Sequence, residues 1–497
     1  MKSIPSKLTR LLGSRQFFYG VVLFFIFESI WVACSAVYPM AFDEDFHLGI
    51  IKIYSHHWLP FLEAQPNNAA QFGALQHDPS YLFHYLMSFP YRLISLFTAD
   101  QTIQVVVLRL LNVALAATGV VLFRKVLLRA GTSAPLAGTI LALFVLVPIM
   151  PLLAGQINYD NLMLPVVAGM CLLVFRLHAG FAKREIDLRA FGLLAVVCLL
   201  GSLVKYPFLP VAAAAALFVV ANACLAFRSN FKRLPLALER GYRELTPKVK
   251  IGLLVAVVLS TGLFLQRYGV NAVRYHTLVP KCDVVLSEDQ CEAYGPWIRN
   301  HELAQAKQNI DKSPLNYTLQ WVQSLHYRLF FMVNGPQDSY RNYPPLPLPS
   351  AAAIVIVISG VVALLLYRQA VFRSRPLLVF LGLIALLYCS VLWADNYSQY
   401  IDTGEPVAIN GRYLLPVLMP LAAVFGRAMS IALGKYTSLK LLFASVALLL
   451  FLQGGGVLSF ISRSDELWDW PNSVVIHTNN AARRALSPVL VEGNKYY

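Results

Sequence analysis

Apolar stretches of about 18 to 25 residues recur along the whole chain, and each is long enough to cross a roughly 30 Å hydrocarbon core. Lipid offers the backbone no hydrogen-bonding partners, so only helices or closed barrels can span it. Continuous apolar runs, rather than alternating ones, select helices over barrel strands. With 57% of residues hydrophobic and 13% charged, and a mean hydropathy of +0.58, a water-facing surface cannot be built over this length; soluble domains run nearer to about a quarter charged. The net charge of +15 does not mark a nucleic-acid binder, because Lys and Arg sit in short gaps between apolar runs, where they report orientation.

The first run, Phe17 to Tyr38, follows a basic leader carrying Lys2, Lys7, Arg10 and Arg15. It is too long for a signal-peptide core and lacks a small-residue cleavage site, so it reads as a retained helix with a cytoplasmic N-terminus. Further runs fall at about 103–123, 134–153, 161–178, 190–206, 208–227, 250–268, 351–367, 377–394, 412–433 and 440–460. The expected fold is therefore all-α and polytopic, with about eleven spans. Threaded alternately, the inside gaps hold Arg124, Lys125, Lys183, Arg184, Arg228, Arg233, Arg368 and Lys435, whereas the outside gaps hold Asp43, Glu44, Asp45, Asp160, Asp395 and Asp402. The later helices rest on hydropathy alone, so the charge asymmetry supports the threading independently. Pro207 leaves open whether 190–227 is two helices or one kinked one.

The chain divides into an N-terminal transmembrane module (1–268, with a first outer loop at 39–102), an outer loop (269–349) before the eighth helix, C-terminal helices (350–461) and an outer tail (462–497). Within the first outer loop, Tyr81 to Phe97 is apolar but interrupted by His84, Pro90 and Arg92, which suits an interfacial helix. The second outer loop ends in Tyr343-Pro344-Pro345-Leu346-Pro347-Leu348-Pro349, an extended strap. It also carries Cys282 and Cys291, eight residues between them. In an oxidising compartment these form a disulfide; otherwise they are free loop thiols. Arg109 and Glu28 fall inside spans and should face protein rather than lipid.

Four polar constellations stand at the outer ends. Phe42-Asp43-Glu44-Asp45-Phe46-His47 crowds three carboxylates at the membrane surface, which raises at least one pKa and suits a general base. Asp43 and His47, four apart on a helix, could meet a substrate or a metal together; N-capping by the acids is the simpler alternative. Gln76-His77-Asp78-Pro79-Ser80-Tyr81 opens the interfacial segment, where a donor beside free backbone N–H groups could hold a phosphate or merely start a helix. Asn158-Tyr159-Asp160-Asn161 occupies a short outer turn that positions a carboxylate or caps a helix. Lys205 before Tyr206-Pro207, and Arg412 in Asn410-Gly411-Arg412-Tyr413-Leu414-Leu415-Pro416, are outer-face cations. Such cations run against the positive-inside trend and need an anionic partner, whether lipid head group or polyprenyl phosphate. The chain shows no phosphate-binding glycine loop, dinucleotide fingerprint or metalloprotease motif placed where it could work. No internal repeat is evident, which weakens a transporter built from inverted halves.

Taken in order, these motifs resemble the GT-C superfamily of multi-pass glycosyltransferases, which use polyprenyl-phosphate sugars. The likeness is to the bacterial mannosyltransferase-like and aminoarabinose-transferase-like branch and its uncharacterised relatives. It is carried by Asp43-Glu44 after the first helix, by His77-Asp78-Pro79-Ser80-Tyr81, by Asp160 and by Arg412 to Pro416. Ser80 stands where the usual pattern has a second proline, and Asp78 adds an acid beside His77. The resemblance implies a conserved N-terminal module of about seven helices, with interfacial helices in the first outer loop. It implies Asp43 as the base, with Glu44 and Asp160 as supporting acids. His47, His77, Tyr81, Lys205, Arg412 and Tyr413 then bind substrate, the cations holding the lipid phosphate.

The function so implied is inverting transfer of a sugar from a polyprenyl-phosphate donor to an acceptor hydroxyl on a glycan, lipid or protein. It would occur at the outer face of a bacterial plasma (inner) membrane, with membrane lipids but no nucleic acid as further partners. A divalent metal, Mg or Mn, held through Asp43, Glu44 or His47 is the candidate cofactor. A transporter or flippase, and an oligosaccharide polymerase or ligase, are the alternatives. A transporter would place its ionisable groups near the bilayer midplane, and a polymerase would lean more on Arg and His than on an early Asp-Glu pair.

Overall fold

The apolar runs fold as helices. The computed structural model describes residues 4–40, 43–307, 310–330, 332–334, 341–343, 347–452 and 466–486. Phe42, the middle of the proline strap (344–346) and the end of the last apolar run (453–460) lie outside the described residues.

The N-terminal part runs α1 (Ile4–Gly13), α2 (Arg15–Ser35), α3 (Glu44–Ser55), α4 (Leu82–Ser95), α5 (Gln101–Arg129), α6 (Ala134–Val145) and α7 (Ile149–Ala154). It continues through α8 (Asp160–Phe181), α9 (Leu188–Val204), α10 (Leu209–Phe227), α11 (Arg233–Glu244) and α12 (Pro247–Phe264). A π-helical turn, Leu265–Gly269, leads into α13 (Val270–Tyr275), then α14 (Cys282–Val285), α15 (Glu288–Cys291), α16 (Gly295–Ala306) and α17 (Pro314–Phe330). A small antiparallel ribbon pairs Met332–Asn334 with Arg341–Tyr343. The C-terminal part holds α18 (Pro347–Phe372), α19 (Pro376–Thr403), α20 (Leu415–Ala432), α21 (Thr437–Leu452) and α22 (Ser473–Leu486).

Eight helices among the described residues are long and apolar enough to cross a membrane: Arg15–Ser35, Gln101–Arg129, Asp160–Phe181, Tyr206–Phe227, Pro247–Tyr275, Leu348–Phe372, Pro376–Thr403 and Gly411–Ala432. The chain is an α-helical, polytopic integral membrane protein. Three other expected runs form shorter apolar helices, α6, α9 and α21. One expectation changes in detail, and one open alternative is decided. The run at 134–153 is divided at Pro148 into α6 and α7, because proline removes a helix donor and crowds the preceding turn. The stretch 190–227 is two helices: Lys205 is extended (φ −155°, ψ 121°) before a 3₁₀ turn at Tyr206–Phe208.

Packing follows membrane rules, in which small residues let backbones approach. A Cβ at Gly119 on α5 would lie 2.4 Å from Leu164 Cβ on α8, and one at Gly155 would lie 2.8 Å from Val32 on α2. The two halves of the chain share one core. α19 lies against α10, with Phe218 and Phe380 rings 4.8 Å apart, and α20 lies against α8, α6 and α18. Arg109 and Glu28 are fully buried in protein, as their position inside spans requires.

The two short helices of the first loop are locked by the arginine that interrupts the apolar pattern. Arg92 donates to the carbonyls of Ser55 (2.6 Å), Tyr54 (2.7 Å) and His57, a cation capping the C-terminus of α3. Its guanidinium also lies 4.5 Å from the Trp58 ring centroid. The described tail returns to the same end of α2: Val37 donates to Trp468 O (2.8 Å), and Trp31 Nε1 to Asn479 Oδ1 (2.9 Å). Cys282 and Cys291 are joined in a disulfide that ties α14 to α15.

Candidate active site

The site begins where α2 ends. Asp43 sits just before α3 in the left-handed region (φ 70°), and its side chain makes no capping hydrogen bond. Asp tolerates this conformation better than most residues but at some cost. The simple capping role is thereby excluded. Its half-exposed carboxylate instead forms an ion pair with Arg412, whose side chain is almost fully buried. Asn410 prepares that arginine, its Oδ1 accepting from the Arg412 backbone N–H at 3.1 Å. Gly411 lets the turn press against α17, since a Cβ there would lie 2.7 Å from the Leu329 backbone nitrogen.

Glu44, the neighbouring acid, points the other way. Arg109 Nε donates to its Oε1 (2.8 Å) and Nη2 to its Oε2 (2.7 Å), both side chains fully buried. The same carboxylate accepts from Met40 N (2.9 Å) and Ile157 N (3.1 Å). Arg109 Nη1 also donates to Ala36 O (2.6 Å) and Ala33 O (3.1 Å). This bidentate pair ties the end of α2 to α5 and to the turn before α8. Both oxygens of Glu44 are thus engaged, and the expected supporting acid is a structural clamp. Asp43, Glu44 and His47 accordingly do not offer one joint metal-ligand set, and among the described residues no three His, Cys, Asp or Glu side chains gather as one.

Asp160 and Lys205 form a second buried pair, Nζ to Oδ1 2.6 Å. The break in the helix at Tyr206-Pro207 is what turns Lys205 inward. Its Nζ lies 4.4 Å from the Tyr159 ring centroid and 5.0 Å from that of Tyr413, while Arg412 Cζ lies 5.4 Å from the same Tyr413 ring. Two cations therefore border one aromatic ring, each matched to its own carboxylate. Asp160 Oδ2 is buried with no hydrogen-bond partner.

His47 closes this layer. Its Nδ1 lies 2.8 Å from His84 Nε2, and its ring packs on Tyr159 at 4.7 Å. Burial, then the neighbouring His84, Arg412 and Lys205, hold His47 well below the usual imidazole range, and burial pushes His84 down to about 3. Both rings are thus neutral. One must donate and the other accept across their contact, and His47 Nε2 is buried without a partner.

The expected phosphate contact His77 lies elsewhere. It faces Asn271 on α13, with Nδ1 3.3 Å from Asn271 Oδ1, and its own carbonyl accepts from Asn271 Nδ2 at 2.9 Å. Burial lowers its pKa, against the pull of the Asn271 hydrogen bond, so it is a neutral anchor rather than a cation. Tyr81 shares this anchoring role, its ring centroid 4.7 Å from Arg267 Cζ. Arg267 comes from the π-helical turn and donates to the carbonyl of Gln76. Arg267 is a site residue that no motif marks, although an arginine at the end of an apolar run is a signal for one. His84 and Tyr294 carry no such signal in the sequence. Tyr294 packs near Phe46 (6.3 Å between centroids) and brings the disulfide-bonded segment toward Asp43.

No family model and no curated protein matches the chain. Asp43, Asp160, Lys205 and Arg412 form an alternating set of charges at helix ends, bounded by Tyr159, Tyr413 and His47. Two cations there can balance a phosphate, a half-exposed carboxylate can take a proton, and the unpartnered Asp160 Oδ2 and His47 Nε2 can meet hydroxyl groups.

Proposed function

We propose that this protein is a glycosyltransferase of the GT-C type, with about eleven spans, that moves a sugar from a polyprenyl-phosphate donor to an acceptor hydroxyl. The observation that carries the reading is the meeting of Asp43, Arg412, Lys205 and Asp160 at one set of helix ends. The charges lie at helix termini rather than mid-span, which favours an interfacial enzyme over a transporter.

In this mechanism the donor phosphate enters between Lys205 and Arg412 and competes with Asp43 for the arginine. Asp43 is released as the charge it faced is taken up by phosphate. The acceptor hydroxyl gives its proton to Asp43, its oxygen bonds the anomeric carbon, and the bond from that carbon to the phosphate oxygen breaks with the electron pair leaving on phosphate. Configuration inverts. Stabilisation of the departing phosphate by preorganised cations is the largest catalytic contribution. Asp160 holds Lys205 in place, and Glu44 with Arg109 fixes the loop that presents Asp43.

The test is direct. Purified full-length protein is offered a panel of polyprenyl-phosphate sugars, and release of polyprenyl phosphate is followed with and without a chelator. Turnover with at least one donor is expected, and it should vanish in Asp43→Asn while the variant still folds. Full activity of that variant would remove Asp43 from the chemistry.

A further inference from the structure

The opposite ends of the same helices carry a second charged site. α8 begins at Asp160 and ends at Phe181, and just beyond that far end Lys183, Arg184, Arg233 and Arg240 line a cleft of about 340 Å³ beneath the amphipathic α11. Glu185 and Glu244 also border it, leaving an excess of two positive charges over these six residues. The ion pairs nearby, Arg176 with Asp187 and Arg243 with Glu239, use none of the four cations. Among the described residues no ion pair involves them.

Three further observations give the cleft a shape. Gly241 lets α11 dock closely, because a Cβ there would lie 2.4 Å from the Ile186 carbonyl oxygen. Arg184 is left-handed (φ 58°) where the chain leaves α8, a position that usually takes glycine. Its side chain borders both this cleft and an adjoining groove of about 340 Å³ walled by Phe181, Asn222 and Leu225. α11 and the residues before it expose Phe231, Leu236, Leu238 and Tyr242, as befits a helix lying in the plane of a membrane surface.

We infer that this cleft binds the phosphate headgroup of an anionic membrane lipid, with an acyl chain in the groove between α8 and α10. Basic pockets between spanning helices are suited to such headgroups. A free phosphate would explain the cations but not the adjoining groove, where Phe181, Ala182, Leu225 and Ala226 stand beside the hydrogen-bonded His178 and Asn222. The site is independent of the proposed transferase reaction, which lies at the other ends of the helices.

The experiment is native mass spectrometry of the full-length chain in neutral detergent, titrated separately with phosphatidylglycerol, phosphatidylcholine and inorganic phosphate. Retention of phosphatidylglycerol over phosphatidylcholine is expected. Each basic residue near a membrane surface contributes about fivefold in affinity. Arg184→Gln with Arg240→Gln should therefore weaken phosphatidylglycerol binding about 25-fold. Arg243→Ala, on the same helix but paired with Glu239, should leave it unchanged. Arg184→Lys with Arg240→Lys keeps the charge and should retain most of the binding, which separates loss of the site from loss of fold. Equal retention of the two lipids, or undiminished binding by the Gln variant, would overturn the proposal. Displacement of the lipid by millimolar inorganic phosphate would overturn the lipid as the occupant.

Discussion

Replacing Glu44 with Gln should damage the fold rather than the chemistry. In the native chain the carboxylate receives two hydrogen bonds from Arg109 and one each from Met40 N and Ile157 N, with both side chains fully buried. The amide keeps one acceptor oxygen but loses its charge, leaving Arg109 as a buried cation with carbonyl partners only. Breaking a buried ion pair in this way costs about 3–5 kcal/mol, about a fifth or more of a typical total stability of about 5–15 kcal/mol. Adding Arg109→Met removes the stranded charge. The remaining orphans are the carbonyls of Ala33 and Ala36 and one backbone N–H, at about 1–3 kcal/mol each, so the double variant should stay well below native stability. Unfolding of the full-length protein in mixed micelles, titrated with a denaturing detergent, measures both. Native-like stability of Glu44→Gln would refute the clamp.

The other site residues separate by the same logic. Asp43→Asn should abolish sugar transfer yet bind donor as well as or better than the native protein, because it removes the competitor for Arg412; weaker donor binding in a lipid-binding assay would count against that exchange. Lys205→Met should cost about 3–5 kcal/mol by stranding Asp160, and combining it with Asp160→Leu should restore stability but not turnover. His47 and His84 are held neutral, below the ordinary value of 6.5, so an unfolded chain takes up protons that the folded chain does not. Stability is then full above pH 6.5 and falls as pH drops toward about 3, by up to about 1.4 kcal/mol per pH unit for each histidine. Unfolding midpoints measured across that window should show a shallower slope in His84→Gln. Gly119→Ala places a Cβ against Leu164, and the overpacking should cost about 1–3 kcal/mol, read as a lower thermal midpoint.

Much of the helical layout was legible because a span must be long, continuous and apolar, and lipid permits few alternatives. The sites of polar residues were legible for a related reason: Asp43, Asp160, Lys205 and Arg412 are unusual at the ends of such runs, and each proved to face another of the set. What sequence could not give was direction. Asp43 and Glu44 are adjacent, yet one reaches Arg412 and the other Arg109. That outcome depends on a left-handed residue and on partners 369 and 65 positions away. His77 matched a phosphate-binding pattern, but its fate was decided by Asn271, which the π-helical turn brings to it. His84 escaped notice because its partner His47 lies on a different helix, and no spacing within one helix could join them.

The ion pair between Asp43 and Arg412 has a bearing on how the protein comes into being. Its members are the first loop and the penultimate apolar helix, so during synthesis Asp43 emerges long before its counter-charge exists. A chain halted anywhere short of Arg412 carries Asp43 but not the group that holds its carboxylate in register. Under the proposed function, chains that stop before Arg412 would be inert, and two fragments separated between residues 335 and 340 should regain transfer only when both are made together.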